Sequence, residues 1–248
     1  MNNHNKSNNT ATNTAPATSS LILEERHDSE LFRVYASILD AITDHVLLPG
    51  KKLTESDLCR QMVCSRNTVR SALSLLAHDK IVDLQPNRGA FVHVPDLKEI
   101  QDVYNSRIEL ESMIFNLLID LPDLETRLKP LYEMIEREAE ASAKGDRVGW
   151  NRLANAFHVE LVRLLDNDVL FEIMNTLCAR SSLIVAVFGE RSHGHGHRTS
   201  GHTYNEHREI LDLLAAGKRT RVLKLLRRHL GGCIERLESK YEAQNELH

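Results

Sequence analysis

Residues Leu53–Val94 read LTESDLCRQMVCSRNTVRSALSLLAHDKIVDLQPNRGAFVHV, and this stretch decides the fold. Leu58 and Met62 lie one helical turn apart, and Val69, Leu73 and Leu76 form a second apolar set at helical spacing. Two helices this short bury little alone. They must pack on each other across Val63-Cys64-Ser65, which is a helix-turn-helix. Ser65 is the expected N-cap of the second helix, which opens Arg66-Asn67-Thr68-Val69-Arg70. Ile81-Val82-Asp83-Leu84 and Ala90-Phe91-Val92-His93-Val94 read as two strands around the turn Gln85-Pro86-Asn87-Arg88-Gly89.

The chemistry of the second helix follows from which face it buries. With Val69 and Leu73 turned inward, Arg66, Asn67, Thr68 and Arg70 are left at an exposed N-terminal end. Such an end suits the DNA major groove, where Arg pairs with guanine O6 and N7 and Asn with adenine. Hydroxyls and helix N-termini suit phosphate. Gly89 permits a tight turn, and Arg88 is placed at a wing tip near a phosphate or the minor groove. The competing reading is a solvated surface with ordinary arginines. It leaves the agreement of helices, turn, strands and basic tip unexplained.

Residues 34–94 resemble the winged helix of the GntR family of bacterial transcription regulators. The words that carry the resemblance are Leu48-Pro49-Gly50, Leu53-Thr54-Glu55, Asp57-Leu58, Ser65-Arg66-Asn67-Thr68-Val69-Arg70, Ala72-Leu73, Leu76 and Asn87-Arg88-Gly89-Ala90-Phe91-Val92. The resemblance implies that Thr54, Ser56, Arg66, Asn67, Thr68, Arg70, Arg88 and Gly89 face DNA. Ser56 stands where the family often has an Arg.

Composition sets the outer bounds. A chain of 248 residues, 42% of them apolar, holds one large or two modest domains with real cores. No run of eighteen apolar residues suggests a membrane span, and the N-terminus lacks the plan of a signal peptide. Cys59, Cys64, Cys178 and Cys233 have no CxxC spacing and read as reduced thiols, so a cytoplasmic location is expected. The formal charge is −4. Leu31 to Pro95 nevertheless carries eight Lys or Arg against six Asp or Glu, so the basic surplus sits with the helix-turn-helix. So small a surplus calls for a homodimer to reach useful DNA affinity.

Residues 1–24 are rich in Asn, Thr, Ser and Ala, without apolar period, and read as a disordered tail. A winged helix-turn-helix domain is expected over 25–95. Its first helix, Leu31 to Leu47, has an apolar face, and Pro49-Gly50 ends it. Beyond Pro95 the period stays helical, giving an effector-binding and dimerisation domain over 96–241 and a frayed end over 242–248. Asp96, Asp146 and Asp168 are expected caps, and one helix is expected from Pro122-Asp123 to Lys144. Further helices are expected from about Tyr204 to Ala216 and from Lys218 to about Tyr241. The fold class is mainly α: three helices and a small β-ribbon, followed by an all-α bundle of six or seven helices.

This second part resembles the FCD effector domain of the FadR subgroup through Asp102, Arg107-Ile108-Glu109-Leu110-Glu111, Phe157-His158, Glu206-His207 and Arg228-His229-Leu230. Periodicity alone already singles out polar groups facing inward. Arg107 falls on the apolar stripe of 100, 103, 110, 114 and 117 and must find an anion, either Glu111 or a ligand carboxylate. His158, His207 and His229 come from three separate helices, each on or beside an apolar stripe. They read either as a metal site or as a hydrogen-bonded cluster. The resemblance implies a divalent metal on these histidines and a ligand pocket at Arg107. It also implies an acidic or amide ligand four residues before His158, where this chain has Ala154; Asn155 is the candidate in its place. Without that carboxylate, Zn²⁺ or Ni²⁺ is expected over harder metals.

The expected function is a DNA-binding regulator, a repressor, acting as a homodimer on a double-stranded operator, whose helical domain binds a metal and a small organic acid that alters operator binding. A metal-dependent enzyme and a pure metal sensor are the alternatives. No inward carboxylate near the histidines stands out as a general base, which counts against the enzyme. The stretch His193-Gly-His195-Gly-His197, with His202 beyond it, reads as a connecting loop.

Overall fold

The computed structural model describes residues 30–189 and 200–245. The expected tail and the histidines at 193, 195 and 197 lie outside the described residues.

Helix α1 (Glu30–Thr43) buries Val34, Tyr35, Ile38, Leu39 and Ile42 on one face. It stops four residues before the expected end, where His45 takes φ 60°, a left-handed conformation that breaks the ladder. Helices α2 (Glu55–Met62) and α3 (Arg66–His78) form the helix-turn-helix. Ser65 caps α3 as expected, its hydroxyl accepting from Thr68 N at 3.1 Å. Val63 closes α2 at φ 50°, a strained setting for a β-branched residue. The wing is a three-stranded antiparallel sheet in the order β1 (Lys52–Leu53), β3 (Gly89–Val92), β2 (Val82–Gln85). The central strand pairs Ala90 with both Leu53 and Leu84. Strand β1 was not expected, since two residues carry no readable period.

The rest is helical. Helix α4 (Leu97–Ile119) is capped by Asp96, which accepts from Glu99 N at 2.7 Å. The single helix expected up to Lys144 is instead two, α5 (Leu124–Arg127) and α6 (Lys129–Ala143). Pro130 is the physical reason: it has no N–H to carry the ladder through, and it fits a first helical turn. Helix α7 (Arg147–Arg163) has its expected cap in Asp146. Helix α8 (Asp168–Phe188) is capped by Asn167 rather than Asp168, the side chain of Asn167 accepting from Leu170 N at 3.1 Å. Helices α9 (Ser200–Ala215) and α10 (Arg219–Asn245) complete the chain, so 242–245 continue a helix where fraying was expected.

Helix α10 lies along α4, α6 along α7, and α9 joins the two pairs. Helix α8 packs on α4, α7 and α1. By length and composition α8 would suffice to cross a membrane, with mean hydropathy 1.4. Its Phe171, Met174, Cys178, Leu183, Ile184 and Phe188 are instead buried against other helices. The wing is also tied to the bundle by polar groups. His93 Nδ1 meets Asp83 at 2.9 Å and its Nε2 meets Glu99 at 2.8 Å, while Glu99 accepts from Arg180 at 2.7 Å.

Candidate metal and ligand cavity, and the helix-turn-helix face

At the helix-turn-helix, Arg66 and Asn67 are exposed at the start of α3. Thr68 departs from the expectation. It is half-buried, bonded to Ser65 Oγ and donating to Glu30 Oε2, each at 2.8 Å. The cause is the cap itself, which draws Thr68 back over the turn. Arg70 is exposed, and its Nε pairs with Glu55 Oε1 of α2 at 2.8 Å. Thr54 and Ser56 are exposed at the start of α2, with the Thr54 hydroxyl directed to Asp57. Arg88 is exposed at the wing turn, its guanidinium 5.4 Å from the centre of the Phe91 ring. Gly89 follows at φ 94°, a conformation that favours glycine.

The second site is in the bundle. Helices α7, α9 and α10 bring His158, His207 and His229 together, all buried. Ring centres are 5.1 Å apart for His158–His207, 5.4 Å for His158–His229 and 5.0 Å for His207–His229. One nitrogen from each lies within 4.8 Å of the other two. Each Nδ1 meets a carboxylate: His158 with Glu111 at 2.7 Å, His207 with Glu138 at 2.7 Å, and His229 with Glu206 at 2.8 Å. That leaves Nε2 as the ring nitrogen that no carboxylate engages. Nε2 of His207 is buried without any hydrogen-bond partner.

These carboxylates correct the sequence reading, which saw no inward carboxylate near the histidines and gave Glu111 only as a partner for Arg107. Glu111 and Glu138 are as buried as the histidines. Glu138 had a signal: with Leu131 and Ile135 it continues one buried stripe of α6. Glu206 is half-buried, next to His207 in sequence.

Burial lowers the pKa of His158 and His207 and keeps both imidazoles neutral. Burial also pushes against ionisation of Glu111, but His158 and Arg107 beside it hold its pKa low. At Glu138 burial wins and raises the carboxyl to about 8, against the pull of His229 and Trp150.

The triad lies in the wall of a cavity of about 470 Å³. Arg107 lines it, together with Tyr104, Trp150, Ala154 and Asn155. The sequence left Arg107 a choice between Glu111 and a ligand; the structure divides the guanidinium. Its Nε donates to Glu111 Oε1 at 2.9 Å, and its Nη2 is buried with no partner. Asn155 donates its amide N–H to the Asn151 carbonyl at 3.0 Å, so the amide oxygen is what it has to offer the cavity. The donor set fits a divalent cation of borderline character: three buried imidazoles, each oriented by a carboxylate.

A winged helix-turn-helix joined to a helical bundle with a polar cavity defines a class, a two-domain DNA-binding regulator. The family comparisons agree. The family described as bacterial regulatory proteins, gntR family, matches residues 32–92, and the FCD domain matches residues 102–232. The chain belongs to the GntR family of bacterial regulatory proteins and carries an FCD domain. A transcriptional regulator GntR from Rhodococcus sp. RHA1 has a crystal structure similar over 84% of this chain and 96% of that one, at 30% identity and TM-score 0.71. E. coli McbR/YncC shares the fold at TM-score 0.76 and 21% identity, over 87% of this chain and all of that one. The gluconate operon transcriptional repressor of Bacillus subtilis is 28% identical over 145 residues, 58% of this chain and 59% of the repressor. The chain thus spans about three fifths of the curated relatives it matches first. The relatives named are transcription regulators rather than enzymes.

Proposed function

We propose that this protein is a ligand-responsive DNA-binding repressor, acting as a homodimer on a palindromic operator in the cytoplasm. Arg66, Asn67 and Arg70 read the major groove, Arg88 and Gly89 approach the backbone at the wing, and Thr54, Ser56 and Thr68 lie beside phosphates. In the bundle, His158, His207 and His229 hold a divalent metal, Zn²⁺ or Ni²⁺, with the Asn155 oxygen or water completing the shell. A small organic acid in the cavity would pair its carboxylate with the Nη2 of Arg107, and a metal on the histidines would supply a Lewis acid for it.

The observation that carries the reading is the arrangement of the three imidazoles. Each Nδ1 meets a carboxylate, which leaves three Nε2 atoms, engaged by no carboxylate, as the candidate ligand atoms at one place in the cavity wall. Glu138 would hold the His207 proton on Nδ1 and so present its Nε2 to a cation. The metal supplies a Lewis-acidic anchor for an acid, while Arg107 orients it and the surrounding apolar side chains exclude water. The repressor direction follows the function named for the gluconate operon relative.

Elemental analysis of the purified protein tests the metal, and calorimetric titration with small carboxylic acids tests the cavity. One equivalent of metal per chain, lost on mutating any one of the three histidines, is expected. Full metal content in a His158, His207, His229 triple-alanine variant would overturn the assignment.

A further inference from the structure

Helix α7 faces two ways. His158, Asn155, Asn151 and Trp150 line the large cavity. On the same helix Arg152 turns to the C-terminal end of α1, the first helix of the winged part, where its Nη2 meets Oδ2 of Asp44, just past the helix, at 2.6 Å and Oδ1 of Asp40 at 3.7 Å. The contact is well shielded, with side-chain exposures of 24% for Arg152, 22% for Asp40 and 28% for Asp44. It is also incompletely satisfied: Asp44 Oδ1 and Arg152 Nε are buried without hydrogen-bond partners. A second, smaller cavity lies here, walled by Leu39, Asp40 and Thr43 of α1 and by Arg152, Asn151 and Asn155 of α7. Asn151 and Asn155 therefore border both cavities. They are held to each other by the Asn155 amide, which donates to the Asn151 carbonyl at 3.0 Å.

We propose that Arg152 is the positioning residue through which occupation of the histidine site is transmitted to α1 and, from there, to the recognition helix. The inference rests on the functional reading above and names how that site regulates. The physical route is short. A ligand on His158 restrains the middle of α7, and Asn155 and Asn151 form the wall between the two cavities. Arg152 then carries any shift of that wall to Asp40 on α1 and to Asp44 just past its end. Helix α1 packs directly on α3, so a change in its tilt moves Arg66 and Asn67. The unpaired atoms leave room for a second arrangement, in which Arg152 Nε or Asp44 Oδ1 gains a partner. Coupling between sites needs such an element with two arrangements.

Hydrogen exchange on the full-length protein, with Zn²⁺ as the probe against a chelated control, tests this. In the wild type, Zn²⁺ should slow exchange in 147–163 and also in 30–43, by about threefold or more in each. In Arg152→Met and Asp44→Asn the slowing should persist in 147–163 and vanish from 30–43, while Arg152→Lys should restore part of it. Cooperative melting of each variant, with unchanged Zn²⁺ stoichiometry, guards against simple misfolding; if Arg152→Met fails it, Asp44→Asn decides. Equal protection of 30–43 in the wild type and these variants would overturn the inference and leave the metal site standing. Protection of 147–163 alone in the wild type would do the same. No protection of either segment would overturn the metal site and the inference together.

Discussion

Arg107 shows how much one side chain can be asked to do. Its Nε holds Glu111 and its Nη2 is buried without a partner, so under the proposed function the fork geometry matters more than the charge. Arg107→Lys should bind small carboxylic acids about tenfold more weakly, read by calorimetry, because an ammonium cannot serve both partners. His207→Ala should remove the dependence of melting temperature on metal: chelator should lower the wild-type midpoint and leave the variant's unchanged. Arg107 and the three histidines were legible in the sequence, because polar residues on apolar stripes stand out against the helical period. Glu138 sits on just such a stripe and was overlooked, since a lone Glu among Glu136, Glu138 and Glu140 looks like part of a solvated acidic face. That Arg107 pairs through Nε and leaves Nη2 buried without a partner was beyond any one-dimensional reading, because it depends on how the surrounding helices pack.

Among the elements, the turn between α2 and α3 carries the clearest strain. Val63 is 82% exposed at φ 50°, so its side chain gains little packing for an unfavourable backbone. Val63→Gly should stabilise the protein by about 1 kcal/mol, measured by denaturant unfolding, because the left-handed penalty for a branched residue is of that order. The junction at β3 and α4 should respond to pH. Glu99 raises the pKa of His93 from its ordinary 6.5, against burial and with help from Asp83. The stabilisation is therefore complete below 6.5 and is lost as pH rises through the raised value. Glu99 is itself shifted below its ordinary 4.5, with His93 and Arg180 outweighing burial, so its share is lost only in acid. The junction should be firmest between about 4.5 and 6.5. Melting temperatures across pH should fall on the alkaline side in the wild type and stay flatter in His93→Gln. Caps and periods made most elements legible, Ser65, Asp96 and Asp146 among them. Strand β1 escaped because its two residues are defined by their pairing with β3, and the break at Leu128 because Pro130 was read as lying within a helix.

At the scale of the molecule, function depends on distance kept and distance bridged: an exposed basic helix end at one pole, a buried imidazole cluster at the other. The pairing of the two parts was legible because each carries its own family words, whereas their mutual seating, through Arg152 and Arg180, was not. If the reading end binds DNA as proposed, log affinity should fall linearly with log salt. Arg66→Ala should weaken operator binding, while Arg88→Ala should reduce the salt slope by about one and affect all sequences alike. Gel-shift titrations at several ionic strengths would show both. The pair between Arg70 and Glu55 has a consequence of its own. Glu55 occupies the cation that DNA would claim, so every encounter with a duplex begins by competing against an intramolecular carboxylate. A site offering a well-placed guanine can win that contest, whereas an arbitrary phosphate gains little from it. If Arg70 meets DNA as proposed, Glu55 sets a threshold against promiscuous binding, and Glu55→Gln should hold random-sequence DNA more tightly while its preference for the operator narrows.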